Sequence, residues 1–264
     1  MIRIGSLYEV LISGAFEKIV ATFDPSQKIS LSLAEYIRIE KNWYKMKKSS
    51  PSMYNGSLPR LLSFHVSGNC LFLNLGLTSF KEYLGTNELL SEQHNIGESH
   101  LANPLCVRVL SGSIAKLHVK PSGHLVTTTR SLLQKPRKLI HYPMDEAVRQ
   151  EAHEELALIE NETSDFVCTG LVVSLQNRKP ELTFMMQTPV SSNEIISRPK
   201  DHGWESDALL AIPYEPDSIM QLLVDKIYEF TAPGHAAIFL AACKDFGNSW
   251  KNSFLTSLSK KNLI

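Results

Sequence analysis

The sequence predicts a mixed α/β fold, and three observations lead there. Short apolar runs of strand length recur from Leu7 to Gln187, two stretches carry apolar side chains at helical spacing, and clusters of Gly, Pro, Ser, Asn and Asp separate them. With 264 residues and a hydrophobic fraction of 43%, the chain can bury a sizeable core as one large or two small domains.

From Ser6 to Thr22 the pattern is apolar and broken at Ser13-Gly14, which predicts a strand hairpin, with a turn following at Asp24-Pro25-Ser26. Residues 32–48 interleave Leu33, Ile37, Trp43, Tyr44 and Met46 with charges, as an amphipathic helix does, and Lys45, Lys47 and Lys48 would favour the dipole at its C-terminal end. Strands are expected at 61–66 and 70–75, joined by Ser67-Gly68-Asn69, whose residues tolerate positive φ. A short helix follows and stops at Gly85. The long polar stretch from Asn87 to Pro104 suggests a junction, dividing the chain into residues 1–104 and 105–264.

In the second part, strands are expected at 107–109, 114–119 and 125–129. A basic loop, Lys135-Pro136-Arg137-Lys138, leads to a strand at 139–142 and a helix over 145–158. Further strands are expected at 166–173, 182–187 and 208–212, and Ala232 to Cys243 reads as a last buried helix. Two unequal α/β parts result.

The 27 Lys+Arg balance 27 Asp+Glu, so the chain lacks the basic excess that gripping nucleic acid or an anionic membrane requires. Its longest apolar stretch, Ala236 to Cys243, falls far short of the ~18–20 residues of a membrane span. No secretory signal is recognisable after Met1, and Cys70, Cys106, Cys168 and Cys243 are scattered singly. A cytoplasmic address is therefore expected.

The segment Arg149-Gln150-Glu151-Ala152-His153-Glu154-Glu155-Leu156-Ala157-Leu158 carries the most chemical information. On a helix Val148, Ala152, Leu156 and Ile159 fall within an arc of about 80° and predict a buried stripe, with Arg149 and His153 turned to solvent. Glu151, Glu154 and Glu155 share the adjoining flank. Three carboxylates at such spacing repel one another, and a divalent cation would relieve the repulsion; oxygen ligands alone suit Mg²⁺ or Mn²⁺, ions that serve phosphate chemistry. The alternative is a surface helix whose glutamates are simply good helix formers.

This segment resembles the second half of the Nudix box, R-E-U-x-E-E-x-G-U with U apolar. Glu151, Glu154, Glu155 and Leu158 match it, Gln150 stands for the Arg, Ala157 for the Gly, and the upstream Pro-Gly-Gly loop is not recognisable. A second run, Gly76-Leu77-Thr78-Ser79-Phe80-Lys81-Glu82-Tyr83-Leu84-Gly85-Thr86-Asn87, is similar to a signature of the Nudix branch of UDP-glucose and UDP-galactose diphosphatases. Weaker echoes lie at Trp43, Tyr54-Asn55-Gly56, Asn103-Pro104-Leu105 and Thr129-Arg130-Ser131.

The resemblance implies a Nudix α/β/α sandwich over 105–264 with a smaller N-terminal α/β domain. It implies Mg²⁺-dependent cleavage of a nucleotide sugar to UMP and sugar 1-phosphate, with Glu151, Glu154 and Glu155 as metal ligands. Thr78, Tyr83 and Asn87 would help form a nucleotide wall, the alternative being that Thr78 caps a helix and Gly85 ends one. Arg130 is a candidate for a diphosphate oxygen, or for a surface ion pair. Glu181 and Glu205 are candidates for a water-orienting base or an extra ligand. The missing glycine loop leaves open a nucleotide-sugar binding protein without catalysis, and base choice leaves open an ADP-ribose or dinucleoside hydrolase.

Overall fold

The computed structural model describes residues 2–88, 100–112, 139–140, 148–149, 152–153, 156–163, 166–198 and 211–264. The strands expected at 114–119 and 125–129 and the basic loop 135–138 lie outside them. Of the strand expected at 208–212 only residues 211 and 212 are described, and they are loop.

The fold is mixed α/β, built on two sheets. Strands β1 (Ile2–Ile4), β2 (Tyr8–Phe16), β6 (Cys106–Gly112), β8 (Phe166–Ser174) and β9 (Pro180–Gln187) form a five-stranded sheet in the order β1-β2-β8-β9-β6. Strands β3 (Lys18–Lys28), β4 (Ser57–Ser67), β5 (Cys70–Ser79) and β7 (Leu139–Ile140) form a second sheet in the order β4-β5-β3-β7.

The expected hairpin over 6–22 does not form. Tyr8–Phe16 pairs with β1 and β8, whereas Lys18–Lys28 pairs with β5 and β7 in the other sheet. Ser13-Gly14 is the place where the β2–β8 register shifts, a bulge rather than a reversal. Asp24-Pro25-Ser26 likewise lies inside β3. Asp24 Oδ1 accepts from the Ser26 amide at 2.9 Å and from its hydroxyl at 2.6 Å, and the register against β5 shifts between Phe23 and Lys28. Opposite this bulge, Gly76 gives the room: a Cβ there would sit 2.2 Å from the Gln27 carbonyl oxygen.

The helix α1 (Leu33–Ser49) begins with a reciprocal cap. The Ser32 amide donates to Glu35 Oε2 at 2.7 Å, the Glu35 amide donates to Ser32 Oγ at 3.3 Å, and Lys47 and Lys48 fall in the last turn. The β4–β5 hairpin turns at Gly68, at φ 57°, close to the expected position. After β5 comes α2 (Phe80–Thr86), and later α3 (Ser192–Ser197), α4 (Pro216–Asp225) and α5 (Ala232–Lys260), the last kinked at Gly247. The buried helix expected to end at Cys243 therefore runs on, because Trp250, Phe254 and Leu258 continue its buried face at four-residue spacing.

Three hydrophobic clusters join the layers. Phe23, Leu71, Leu73 and Leu75 of one sheet share a core with Leu171, Leu182 and Phe184 of the other, and Val148 packs into it. On the far face of the five-stranded sheet, Tyr8, Val10, Val172 and Met185 pack against Phe239, Leu240 and Phe254 of α5 and against Leu222 and Leu223 of α4. Ala152, Leu156 and Leu158 pack with Met186, Val190 and Ile195. Strand pairing spans residue 104, since β2 joins β8 and β3 joins β7. No helix among the described residues is long and apolar enough to cross a membrane.

Candidate functional site

Glu151, Glu154, Glu155, Arg130 and Glu205 lie outside the described residues. Around the three glutamates, residues 148, 149, 152, 153 and 156 are helical. Val148, Ala152 and Leu156 are buried as the periodicity requires. Ile159 is not part of that stripe: it is 51% exposed, because the helix ends before it.

The ending is specific. Ala157 takes a left-handed backbone, φ 53°, and its amide donates to the His153 carbonyl at 2.9 Å. This closes the helix at the position where the Nudix pattern places glycine. A side chain in that conformation costs on the order of 1 kcal/mol. Ala157→Gly is accordingly expected to raise the unfolding free energy by about 1 kcal/mol in urea titration; an unchanged or lower midpoint would refute a strained cap.

Arg149 does not turn to solvent as expected. Its guanidinium lies 4.9 Å from the Phe166 ring centroid and donates to Thr163 Oγ1, so the arginine stem is half-buried. A second arginine, which the sequence reading did not single out, holds the helix end. Arg198 donates to the Ala157 carbonyl at 3.0 Å, to both Glu162 oxygens at 2.6 Å, and to Glu194 at 2.7 Å. These bonds hold the Glu162 carboxyl down at about pKa 2 and push the Arg198 guanidinium up.

The second run divides into packing, knot and cavity. Gly85 does not stop α2. It lies inside the helix, where a Cβ would come within 2.4 Å of Ile39 Cγ1, so its absence lets α2 seat against α1. Nor does Thr78 cap α2: Ser79 Oγ accepts from the Glu82 amide at 3.3 Å, while Thr78 donates to the Glu82 carboxylate at 2.9 Å.

Asn87 is fully buried and ties three segments together. Its Oδ1 accepts from the Asn103 amide at 3.1 Å, and its Nδ2 donates to the Asn177 carbonyl at 2.8 Å and to Asn103 Oδ1 at 3.2 Å. The adjacent Thr86 hydroxyl accepts from the Ala102 amide at 3.1 Å. Two echoes of the resemblance, at 87 and 103, thus meet in space as a structural knot. Asn87→Ala leaves buried backbone groups without their partner and is expected to cost about 2 kcal/mol. Urea unfolding reads this directly. Unchanged stability would return Asn87 to a purely ligand-facing role.

Tyr83 and Glu181 come together in one cavity of about 600 Å³ between α2, the β8–β9 hairpin and the start of α5. Tyr83 donates to Glu88, and Asn177 Nδ2 donates to Glu88 at 3.0 Å and to the Tyr83 hydroxyl at 3.3 Å. Lys179 Nζ stands 3.3 Å from Glu181 and 5.7 Å from the Tyr83 ring centroid. Both ions are buried, with side chains 7% and 4% exposed. Lys179 and Glu181 are two residues apart and share one face at the start of β9. That spacing was the available signal for Lys179.

Glu181 pairs in register with Val172, whose side chain faces α5. Leu182, Phe184 and Met186 project to the opposite face of β9, and there they meet Val148, Ala152 and Leu156. The sheet therefore lies between Glu181 and the buried stripe of that helix. Among the described residues no group of three or more His, Cys, Asp or Glu side chains could hold a metal ion. No protein-family model matches the chain, and no curated protein matches it.

Proposed function

We propose that the chain is a Mg²⁺-dependent pyrophosphohydrolase of the Nudix type, cleaving a nucleoside diphosphate sugar such as UDP-glucose or UDP-galactose to UMP and sugar 1-phosphate. The observation that supports this reading is the end of the helix at 148–156. The residue in the family's glycine position, Ala157, has the left-handed backbone for which glycine is chosen, and Val148, Ala152 and Leu156 fill the apolar positions as buried side chains.

In this reading the two facing sheets and the helix at 148–156 form the Nudix sandwich, at a cytoplasmic address. Glu151, Glu154 and Glu155 would hold Mg²⁺ or Mn²⁺, which supplies polarisation of the diphosphate and a lowered pKa for the attacking water. Burial of Val148, Ala152 and Leu156 and the grip of Arg198 on the Ala157 carbonyl fix the helix against the sheet. Arg130 would take a diphosphate oxygen, and its fork would orient the scissile bond. Glu205 is the better candidate to orient water, since Glu181 is engaged by Lys179 across the sheet.

Phosphorus NMR of UDP-glucose with the protein and Mg²⁺ tests the reading. Appearance of UMP and glucose 1-phosphate resonances is expected; ADP-ribose and a dinucleoside polyphosphate run in parallel assign the base preference. The replacement of the family's Arg by Gln150 and the unrecognisable glycine loop favour a second reading, a nucleotide-sugar binding protein. That reading predicts a raised melting temperature with UDP-glucose and unchanged phosphorus spectra.

A further inference from the structure

We infer that the outward face of α1 docks on an anionic lipid surface. Leu33, Ile37 and Tyr44 are exposed on that face, Leu33 and Tyr44 each at 76%. On the helix they fall within an arc of about 40°. Lys41, Lys45 and Lys48, all exposed, flank the arc on one side, and Lys47 with the exposed Tyr36 flanks it on the other. Exposed apolar side chains between lysines are what a helix lying in a lipid interface presents.

The charge of the face is one-sided. Both carboxylates of α1 are committed elsewhere: Lys81 Nζ donates to Glu40 at 2.5 Å, and Glu35 accepts from the Ser32 amide and stands 3.2 Å from His100 Nδ1. None of the four lysines has an ion-pair partner among the described residues. The balance of 27 basic and 27 acidic residues belongs to the whole chain, whereas salt screens charge beyond about 8–10 Å, so a surface facing α1 meets the lysines and not the total. Whole-chain neutrality therefore excludes a general grip on an anionic membrane and leaves a local one.

The side chains turned outward also choose among anionic partners. Protein interfaces are rich in Arg and Trp at their centres and poor in Lys. The helix has one Arg and one Trp and turns both inward: Arg38 reaches the Gly85 carbonyl at 3.5 Å, and Trp43 packs edge-on against Phe80. A nucleic acid would use the lysines and stack on the tyrosines, but it gives Leu33 and Ile37 nothing to bury against. A lipid surface uses all of them. The acyl boundary takes Leu33, Ile37 and the Tyr44 ring, while the lysine stems lie along it and place their ammonium groups among the headgroup phosphates. The inference does not rest on the hydrolase reading.

Co-sedimentation of the full chain with phosphatidylcholine vesicles containing about 30% phosphatidylserine tests it, with phosphatidylcholine alone as the control. Binding to the anionic vesicles is expected to be at least about tenfold stronger than to neutral ones, and to weaken as salt rises from about 0.1 M to about 0.5 M. Two double variants divide the face into its parts. Lys45→Gln with Lys48→Gln should weaken binding about 25-fold, about fivefold for each charge. Leu33→Ala with Tyr44→Ala should weaken it about tenfold at unchanged charge. All four side chains are exposed, so the circular dichroism spectrum should not change. Glu155→Gln should bind vesicles like the parent protein whether or not it hydrolyses UDP-glucose, which separates this face from the hydrolase reading. Absence of binding to the anionic vesicles, or undiminished binding in either double variant, would overturn the inference. So would tighter binding to polyglutamate or to a single-stranded oligonucleotide than to the vesicles, lost in the lysine variant, which would assign the face to a protein or a nucleic acid.

Discussion

Glu155→Gln is expected to reduce Mg²⁺-dependent hydrolysis of UDP-glucose by at least about 100-fold while leaving the urea midpoint unchanged, since loss of even an outer-shell partner of a metal costs about 10–100-fold. The amide keeps the size, the helix propensity and one carbonyl oxygen of the glutamate. What it loses is the negative charge that a hard divalent cation requires. A 100-fold loss corresponds to about 2.7 kcal/mol of transition-state stabilisation, well above the few tenths that a surface charge change contributes. Raising the Mg²⁺ concentration should recover part of the rate if the residue binds metal, and none if it acts only on the fold. Glu160→Gln is the control: Glu160 is exposed in the short 3₁₀ turn beyond the helix, and its replacement should leave hydrolysis intact. Full activity of Glu155→Gln at the same Mg²⁺ would remove the helix glutamates from the mechanism.

Local structure was legible where one segment contains its own reason. The lysines ending α1 and the Gly68 turn act within a few residues, and each element lies close to where the residues place it. Partner choice was not legible. The alternation in Tyr8–Phe16 and Lys18–Lys28 reports that each strand has a buried face, and says nothing of which neighbour takes its hydrogen bonds. Hence Ser13-Gly14 and Asp24-Pro25-Ser26 suggest turns and are bulges, since the same residue types serve both.

The candidate residues divide in the same way. Tyr83 and Glu181 were each identifiable by type, yet their meeting depends on Asn87 and Asn177 joining the end of α2 to the β8–β9 turn, a contact between residues 90 positions apart. The glycines at 76 and 85 carry the resemblance in sequence and serve close approach in space, one to the Gln27 carbonyl and the other to Ile39. Arg198 escaped notice because Ala157 and Glu162, which it ties to the helix end, are remote in sequence, while its local partner Glu194, four residues earlier, marks only an ordinary ion pair at helical spacing.

Acidification from pH 7 to pH 4 is expected to lower the unfolding free energy by about 3 kcal/mol through a single buried histidine. His235, in the first turn of α5, is fully buried. Its Nε2 lies 3.0 Å from the Leu223 carbonyl, which can only accept, so Nε2 carries the proton and Nδ1 accepts from the Tyr8 hydroxyl at 2.9 Å. Burial lowers its pKa from 6.5 to about 4. Between those two values the unfolded chain binds a proton that the folded chain refuses, so stability falls as pH drops. The contribution is fully present above pH 6.5, changes by about 1.4 kcal/mol per pH unit inside the window, and is fully lost below about pH 4. Glu162, whose pKa folding lowers from 4.5 to about 2, loses its contribution in a lower window, as pH falls from 4.5 toward 2. Urea titrations at pH 7, 6 and 5 therefore read His235 almost alone among these two groups. His235→Gln keeps an acceptor for Tyr8 and a donor for Leu223 but cannot take up a proton, so its stability should be nearly flat over the same interval, whatever its absolute value. Equal pH slopes in the two proteins would mean that His235 is protonated in the folded state and that the burial argument fails.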